Sequence, residues 1–123
     1  MNENLSNLKK AYDLYKEFEG FMNSLGKGYE IPNNLTVKLD CEKECLYVSE
    51  NNEEDEFDLD EFISKILDYI EGGEEAIHNH ELNQDYYKVL EGKMTEQEFI
   101  ELSGRLQLGI FKLNNIINEM NNI

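Results

Sequence analysis

Apolar residues recur every three or four positions near both ends of the chain, which is the spacing of one helix face. In residues 4–25 the repeating positions are Leu5, Leu8, Tyr12, Tyr15, Phe18, Met22 and Leu25. In residues 95–121 they are Phe99, Leu102, Leu106, Ile110, Leu113, Ile117 and Met120. The second stretch would form a helix about 40 Å long. We expect it to pair with the first helix or with the same helix of a second chain.

Two sequence features indicate where this C-terminal helix begins and how it packs. Thr95 followed by Glu98 has the pattern of a capping box, so we expect the helix to begin there. Gly104 and Gly109 each weaken a helix by about 1 kcal/mol relative to alanine. The alternative interpretation is that the two glycines permit a close crossing with another helix.

The middle of the chain changes to the two-residue period of β-strands. Residues 35–40 alternate apolar and polar side chains, and residues 45–49 are rich in β-branched and aromatic types. The short polar segment between them predicts a turn, so the two strands form a hairpin. Because a lone hairpin is marginal in water, we expect it to pack on the helices.

Two further helices are predicted after the hairpin. Asp58 and Glu61 form a second candidate capping box, and the buried face that follows is Leu59, Phe62, Ile63, Ile66, Leu67 and Ile70. We expect Gly72-Gly73 to end this helix, and residues 74–91 carry a weaker helical pattern. The sequence therefore predicts an α+β fold in a single domain, residues 1–123. Its elements are a long N-terminal helix, a β-hairpin and three helices, the last of them long.

Composition is compatible with a folded domain in the cytoplasm. The chain has 123 residues, 40% of them hydrophobic, with seven Tyr and six Phe, which is unlike an acidic disordered tail. No run of about 18 apolar residues occurs, so we expect no membrane span. The first residues lack the basic and then apolar pattern of a secretory signal.

The net charge is −16, from 27 acidic and 11 basic residues. Such a charge argues against direct binding to nucleic acid or to an anionic membrane. The charge is also concentrated, because residues 40–75 hold fifteen acids and two bases, a net charge of −13. One interpretation is a solvated loop that aids solubility. The other is an array of carboxylates held in place by the helix that follows.

Two cysteines and two histidines raise the question of zinc. Cys41 and Cys45 are separated by three residues and His78 and His80 by one, and neither spacing is usual for a zinc site. We expect the cysteines to be reduced thiols at the hairpin turn, although a disulfide fits hairpin geometry. The letters His78-Asn79-His80 occur in a nuclease motif, but this region lacks the basic residues that hold phosphates.

Other chemistries lack their required residues. The acidic run 50–61 has no glycine at the position that a calcium-binding loop needs. No glycine-rich phosphate loop or nucleophilic serine motif occurs, and Arg105 is the single arginine. We therefore predict a protein without catalytic residues, cofactor or metal.

A resemblance adds to this interpretation. The segments Thr36-Val37-Lys38-Leu39, Tyr47-Val48-Ser49-Glu50 and Glu61-Phe62-Ile63-Ser64-Lys65-Ile66 cover about a quarter of the chain. They resemble the strand, acidic loop and helix of small phage anti-CRISPR proteins that inhibit Cas9. The resemblance implies a DNA mimic that occupies a site for duplex DNA. The long first helix and the helical C-terminal half depart from that pattern.

The leading hypothesis is an inhibitor that occupies the basic groove of a nuclease or another DNA- or RNA-handling enzyme, as an anti-CRISPR or toxin-immunity protein does. Its partner would be a basic protein, with Tyr47, Phe57 and Tyr69 as anchors. The predicted contact residues are Glu50, Glu53, Glu54, Asp55, Glu56, Asp58, Asp60, Glu61, Asp68 and Glu71. The alternative hypothesis is a helical adaptor that acts through its apolar helix faces, as a monomer or as a homodimer.

Overall fold

The computed structural model describes residues 3–25, 29, 35–83 and 85–123. The elements in chain order are α1 (Glu3–Ser24), β1 (Thr36–Asp40), β2 (Cys45–Glu50), β3 (Glu53–Phe57), α2 (Leu59–Asn83), α3 (Asp85–Leu90) and α4 (Glu96–Asn121). The predicted α+β architecture is confirmed. A long N-terminal helix precedes an antiparallel sheet, and three helices follow, of which the last is long.

The sheet has three strands in the order β1-β2-β3, with both pairs antiparallel. The predicted hairpin is β1-β2, and the third strand, β3, was not predicted. A two-residue turn, Asn51-Asn52, folds β3 back onto β2, with φ angles of 50° and 69°. Positive φ at both positions gives a turn whose twist matches that of the strands, and Asn tolerates it better than most residues. The sequence did not predict β3 because four of its five residues are acidic, and Asp and Glu are uncommon in strands.

The core lies between the inner face of the sheet and the three long helices. Its fully or almost fully buried side chains come from every long element and include Tyr15, Phe18, Leu46, Val48, Phe62, Ile66, Ile70, Leu106 and Leu113. Tyr15 of α1 and Phe62 of α2 meet edge to face, with ring centroids 6.3 Å apart. The Tyr15 hydroxyl donates a hydrogen bond to Glu19 at 2.7 Å, so its polar end is satisfied.

The prediction that Gly72-Gly73 ends a helix was wrong, because α2 continues through both residues to Asn83. Gly73 is buried against α1, where a Cβ atom would lie 3.1 Å from the Phe18 ring and 3.2 Å from the Met22 methyl group. The residue is small because two helices approach closely there. The predicted weak helix of residues 74–91 is therefore divided between the end of α2 and the short α3.

The C-terminal helix begins at its predicted capping box. The Glu98 backbone N–H donates to the Thr95 hydroxyl at 3.1 Å, and the Thr95 N–H donates to the Glu98 carboxylate at 3.3 Å. The predicted pairing with the first helix is also present at Gly109, where a Cβ atom would overlap the Phe21 ring of α1. At Gly104 a Cβ atom would meet nothing within 4 Å, so only Gly109 serves the crossing.

Candidate functional site

The four acids of β3 lie on an ordered edge strand rather than in a loop. Glu53, Glu54, Asp55 and Glu56 are all exposed. The register places Glu54 opposite Ser49 and Glu56 opposite Tyr47, on the outer face of the sheet. Successive side chains of a strand point to opposite faces, so the carboxylates project from both sides of this edge.

A second group of acids lies on the solvent face of α2. Asp60, Asp68 and Glu71 are exposed and fall opposite the buried stripe of Phe62, Ile66 and Ile70. Because α2 continues through the glycine pair, Glu75 lies one turn beyond Glu71 on the same face and is also exposed.

Glu75 was missed because the helix was expected to end before it. The usable signal was the apolar stripe, which continues beyond the glycine pair. Ile70, Gly73 and Ile77 are spaced three and four residues apart, and all three are buried.

We call these exposed carboxylates of β3 and of the solvent side of α2 the acidic face: Glu53, Glu54, Asp55, Glu56, Asp60, Asp68, Glu71 and Glu75. From Asp60 to Glu75 the helix rises about 22 Å. With Glu61 included, five acids lie along this length, or one per about 4.5 Å. One strand of a nucleic acid carries a phosphate about every 3.4 Å along its axis. The charge density along α2 is therefore close to that of a single nucleic-acid strand.

Asp58 and Glu61 join the two parts of the acidic face. The Glu61 backbone N–H donates to the Asp58 carboxylate at 2.8 Å, and the Asp58 N–H donates to the Glu61 carboxylate at 3.3 Å. This is the predicted capping box, which fixes the direction in which α2 leaves β3. Each carboxylate thus holds the backbone with one oxygen while remaining exposed.

Glu50 differs from the other predicted contact residues because it is paired inside the molecule. Its carboxylate lies 2.5 Å from the Lys65 ammonium of α2. The hydrogen bond from Lys65 lowers the pKa of Glu50, and the same bond raises the pKa of Lys65. The Lys65 ammonium also lies 5.7 Å from the centre of the Tyr69 ring. Glu50 therefore ties the end of β2 to α2, and Lys65 compensates its charge.

The aromatic residues near the acidic face are not equivalent. Phe57 and Tyr69 are partly buried and pack against the core, so much of their surface is already in contact with other residues of this chain. Tyr47 lies on the outer face of the sheet opposite Glu56, and Lys43 donates a hydrogen bond to its hydroxyl at 3.3 Å. Among the three predicted anchors, Tyr47 is the one that stands beside the acidic face outside the core.

The cysteines are free thiols, Cys41 exposed and Cys45 buried, so the alternative of a disulfide is not realised. Burial raises the pKa of the Cys45 thiol. Within residues 3–25, 29, 35–83 and 85–123 no group of three or more metal-ligating side chains converges. The side chain of His80, one of the candidate zinc ligands, lies outside the described part.

A cavity of about 330 Å³ lies near the start of α4, away from the acidic face. Its lining is Leu25, Tyr29, Lys88, Met94, Glu98, Glu101, Leu102 and Arg105. The single arginine therefore stands among two glutamates rather than in an open basic pocket. None of the helices in the described segments is long and apolar enough to cross a membrane.

Comparison with protein-family models, with curated proteins and with solved structures finds no match for this chain. The resemblance to anti-CRISPR proteins therefore stays a prediction. The functional argument rests on the acidic face itself.

Proposed function

We propose that the protein is an inhibitor that binds the basic nucleic-acid groove of a nuclease or another DNA- or RNA-handling enzyme through the acidic face. One observation carries the proposal. The most acidic segment of the chain forms a strand and a helix joined by a capping box, and nine of its carboxylates are exposed on them. An anti-CRISPR protein and an immunity protein against a nuclease toxin would both use such a surface.

The fixed positions of these carboxylates favour binding. Carboxylates held on a strand and a helix lose little further freedom when a partner docks, whereas those of a mobile loop would lose much more. A dense field of one sign also speeds the encounter with an oppositely charged groove. Successive exposed carboxylates along α2 are separated by about 2 to 11 Å of helix rise, which is comparable to the Debye length of about 8 Å at physiological salt. They would therefore act on a partner together.

Protection of the sheet edge accounts for only part of the acidic face. Charged residues on an edge strand prevent pairing with another chain, and β3 is an edge strand. That need does not extend to Asp60, Asp68, Glu71 and Glu75, which lie on a helix. Solubility alone would be served by dispersed charge, whereas residues 1–39 carry five acids and five bases and so have no net charge.

The test uses a panel of purified basic nucleases, including Cas9 loaded with guide RNA, and the immobilised full chain. We expect at least one enzyme to be retained at low salt and to be released by duplex DNA or by high salt. Retention of no panel member at low salt would count against the proposal, as would retention that neither salt nor DNA reverses.

Two quadruple variants with the same net charge locate the binding surface. The first replaces Glu53, Glu54, Asp55 and Glu56 by their amides. The control replaces four exposed acids elsewhere by theirs: Asp13, Glu17, Glu96 and Glu119. If each exposed charge contributes about 0.3–0.5 kcal/mol, the first variant should bind about 10- to 30-fold more weakly at low salt. Equal affinities of the two variants would place the contact outside β3.

The alternative function, a helical adaptor, also has support. Three large apolar side chains of α4 are exposed: Ile100, Leu108 and Phe111. A partner held by them would remain bound at high salt, because burial of apolar surface is not screened by ions. The salt dependence of binding therefore separates the two functions.

A further inference from the structure

The outward side of α4 carries an apolar stripe. Ile100 is 62% exposed, and Leu108 and Phe111 are each 72% exposed. With Gly104 they are spaced four, four and three residues apart, which places them on one helix face. The buried residues Leu102, Leu106 and Leu113 lie on the opposite side of the helix.

This side of α4 also lacks charge. Between positions 97 and 118 its exposed residues are Gln97, Ile100, Gly104, Gln107, Leu108, Phe111, Asn114, Asn115 and Asn118. Charged residues make up 31% of the chain, so an uncharged face of this length is unusual for it. We call these nine residues the neutral face. It shares no residue with the acidic face.

We propose that the neutral face binds a second copy of this chain, with the two α4 helices antiparallel. Two molecules of charge −16 repel each other, so contact between them is least opposed at a surface without net negative charge. The neutral face meets that requirement, and its exposed apolar residues provide the driving force.

The charges beside the neutral face favour the antiparallel direction. Glu101, Arg105 and Lys112 are exposed and lie along one flank of α4. A two-fold axis between Gly104 and Leu108 keeps this flank on the same side in both copies. It then sets Glu101 of each protomer beside Lys112 of the other, giving two opposite-charge pairs against one like-charge pair, the two Arg105 side chains nearest the axis. In a parallel pair the two-fold axis runs along the helices and carries this flank to the opposite side of the partner, so Glu101 and Lys112 would form no pair across the contact.

The shape of α4 near the axis fits the same arrangement. A Cβ atom at Gly104 would meet nothing within 4 Å, so the helix surface is open at that residue. In the antiparallel pair Leu108 of one protomer lies over Gly104 of the other, twice by symmetry. Leu108, the most exposed leucine of the helix, thus covers the open surface at Gly104.

The test measures the mass of the full chain by sedimentation over a range from low to high micromolar concentration. We expect the mass to rise from 14.4 kDa toward twice that value. The dimer fraction should grow with added salt, because salt screens the repulsion between the two acidic chains. A single helix pair buries less than a standard interface, so we expect weak association. A monomer at every concentration and salt level would overturn the proposal.

Leu108→Asp locates the interface, because it places a charge at the centre of the neutral face. We expect this variant to remain a monomer at concentrations where the unmodified chain associates. The matched control is Leu90→Asp, at a leucine of α3 that is 65% exposed and lies outside the neutral face. Association of Leu108→Asp at the level of the unmodified chain would overturn the proposal, as would dissociation by both variants alike.

Charge reversal determines the direction of the two helices. Glu101→Lys or Lys112→Glu alone would set like charges beside each other in the antiparallel pair, weakening association about three- to ten-fold. The double variant restores opposite charges and should recover the original association. In a parallel pair the two charged flanks lie on opposite sides of the contact, so Glu101→Lys would leave the association almost unchanged. An unchanged dissociation constant would therefore overturn the antiparallel arrangement.

Discussion

Gly104 and Gly109 lie in the same helix, but replacing each by alanine should have opposite effects on stability. Both positions are interior to α4, so each replacement gains about 1 kcal/mol of helix propensity. At Gly104 the new methyl group meets nothing within 4 Å, and the gain is kept. At Gly109 the methyl group overlaps the Phe21 ring of α1, so the ring has to move.

The size of the difference follows from packing. Inserting a methyl group into a filled contact costs about 1–3 kcal/mol. Gly104→Ala should therefore stabilise the protein by about 1 kcal/mol, and Gly109→Ala should destabilise it by about 0–2 kcal/mol. The two variants should differ by about 1–3 kcal/mol.

Urea denaturation followed by circular dichroism measures both variants, at a concentration low enough that the proposed dimer is dissociated. Phe21→Ala supplies the control. Without the ring, Gly109→Ala should become stabilising by about 1 kcal/mol, because only the propensity gain remains. Equal unfolding free energies for Gly104→Ala and Gly109→Ala would refute the close approach of α1 and α4. Strict additivity of Phe21→Ala and Gly109→Ala would refute it independently.

Two further predictions concern the ion pair and the thiols. Lys65→Met should lower the free energy of unfolding by about 0.5 kcal/mol at neutral pH, because the Glu50 pair is partly exposed. Since the pKa of Glu50 is lowered in the folded protein, the pair's contribution is lost as the pH falls through that pKa. The difference between Lys65→Met and the unmodified chain should therefore vanish in strongly acidic urea titrations, and a constant difference would contradict the pairing. Cys41 should react with a thiol reagent at least about ten-fold faster than Cys45, which is 6% exposed and has a raised pKa. Mass spectrometry counts the adducts, and equal rates would contradict the burial of Cys45.

The elements that sequence predicted correctly are those with local causes. The stripes of α1 and α4 repeat within each segment, and both capping boxes join residues three positions apart. The missed features depend on distant parts of the chain. From sequence alone Gly73 is predicted to break the helix, and only its packing against Phe18 and Met22 of α1 explains why a glycine stands there. β3 is a strand because β2 lies beside it, and its own acidic residues give little sign of that.

The candidate site shows the same difference between features with local causes and features that depend on distant residues. The sequence alone showed that acids cluster in residues 40–75, and nine of the ten predicted contact residues, all except Glu50, are exposed. Two details required the fold. Glu50 is compensated by Lys65, fifteen positions away, and Glu75 joins the acidic face only because α2 extends past Gly72.

The capping box of Asp58 and Glu61 links the stability of the fold to the proposed function. The acidic face consists of a strand and a helix: α2 alone approaches the charge density of a nucleic-acid strand, and β3 adds four more exposed carboxylates. Their relative direction is set at the junction, where two backbone N–H groups are held by the two carboxylates. A cap of this kind contributes about 1 kcal/mol to a helix. At this junction it also holds the first turn of α2 directly after β3, so the two acidic elements are fixed next to each other at this point of the fold.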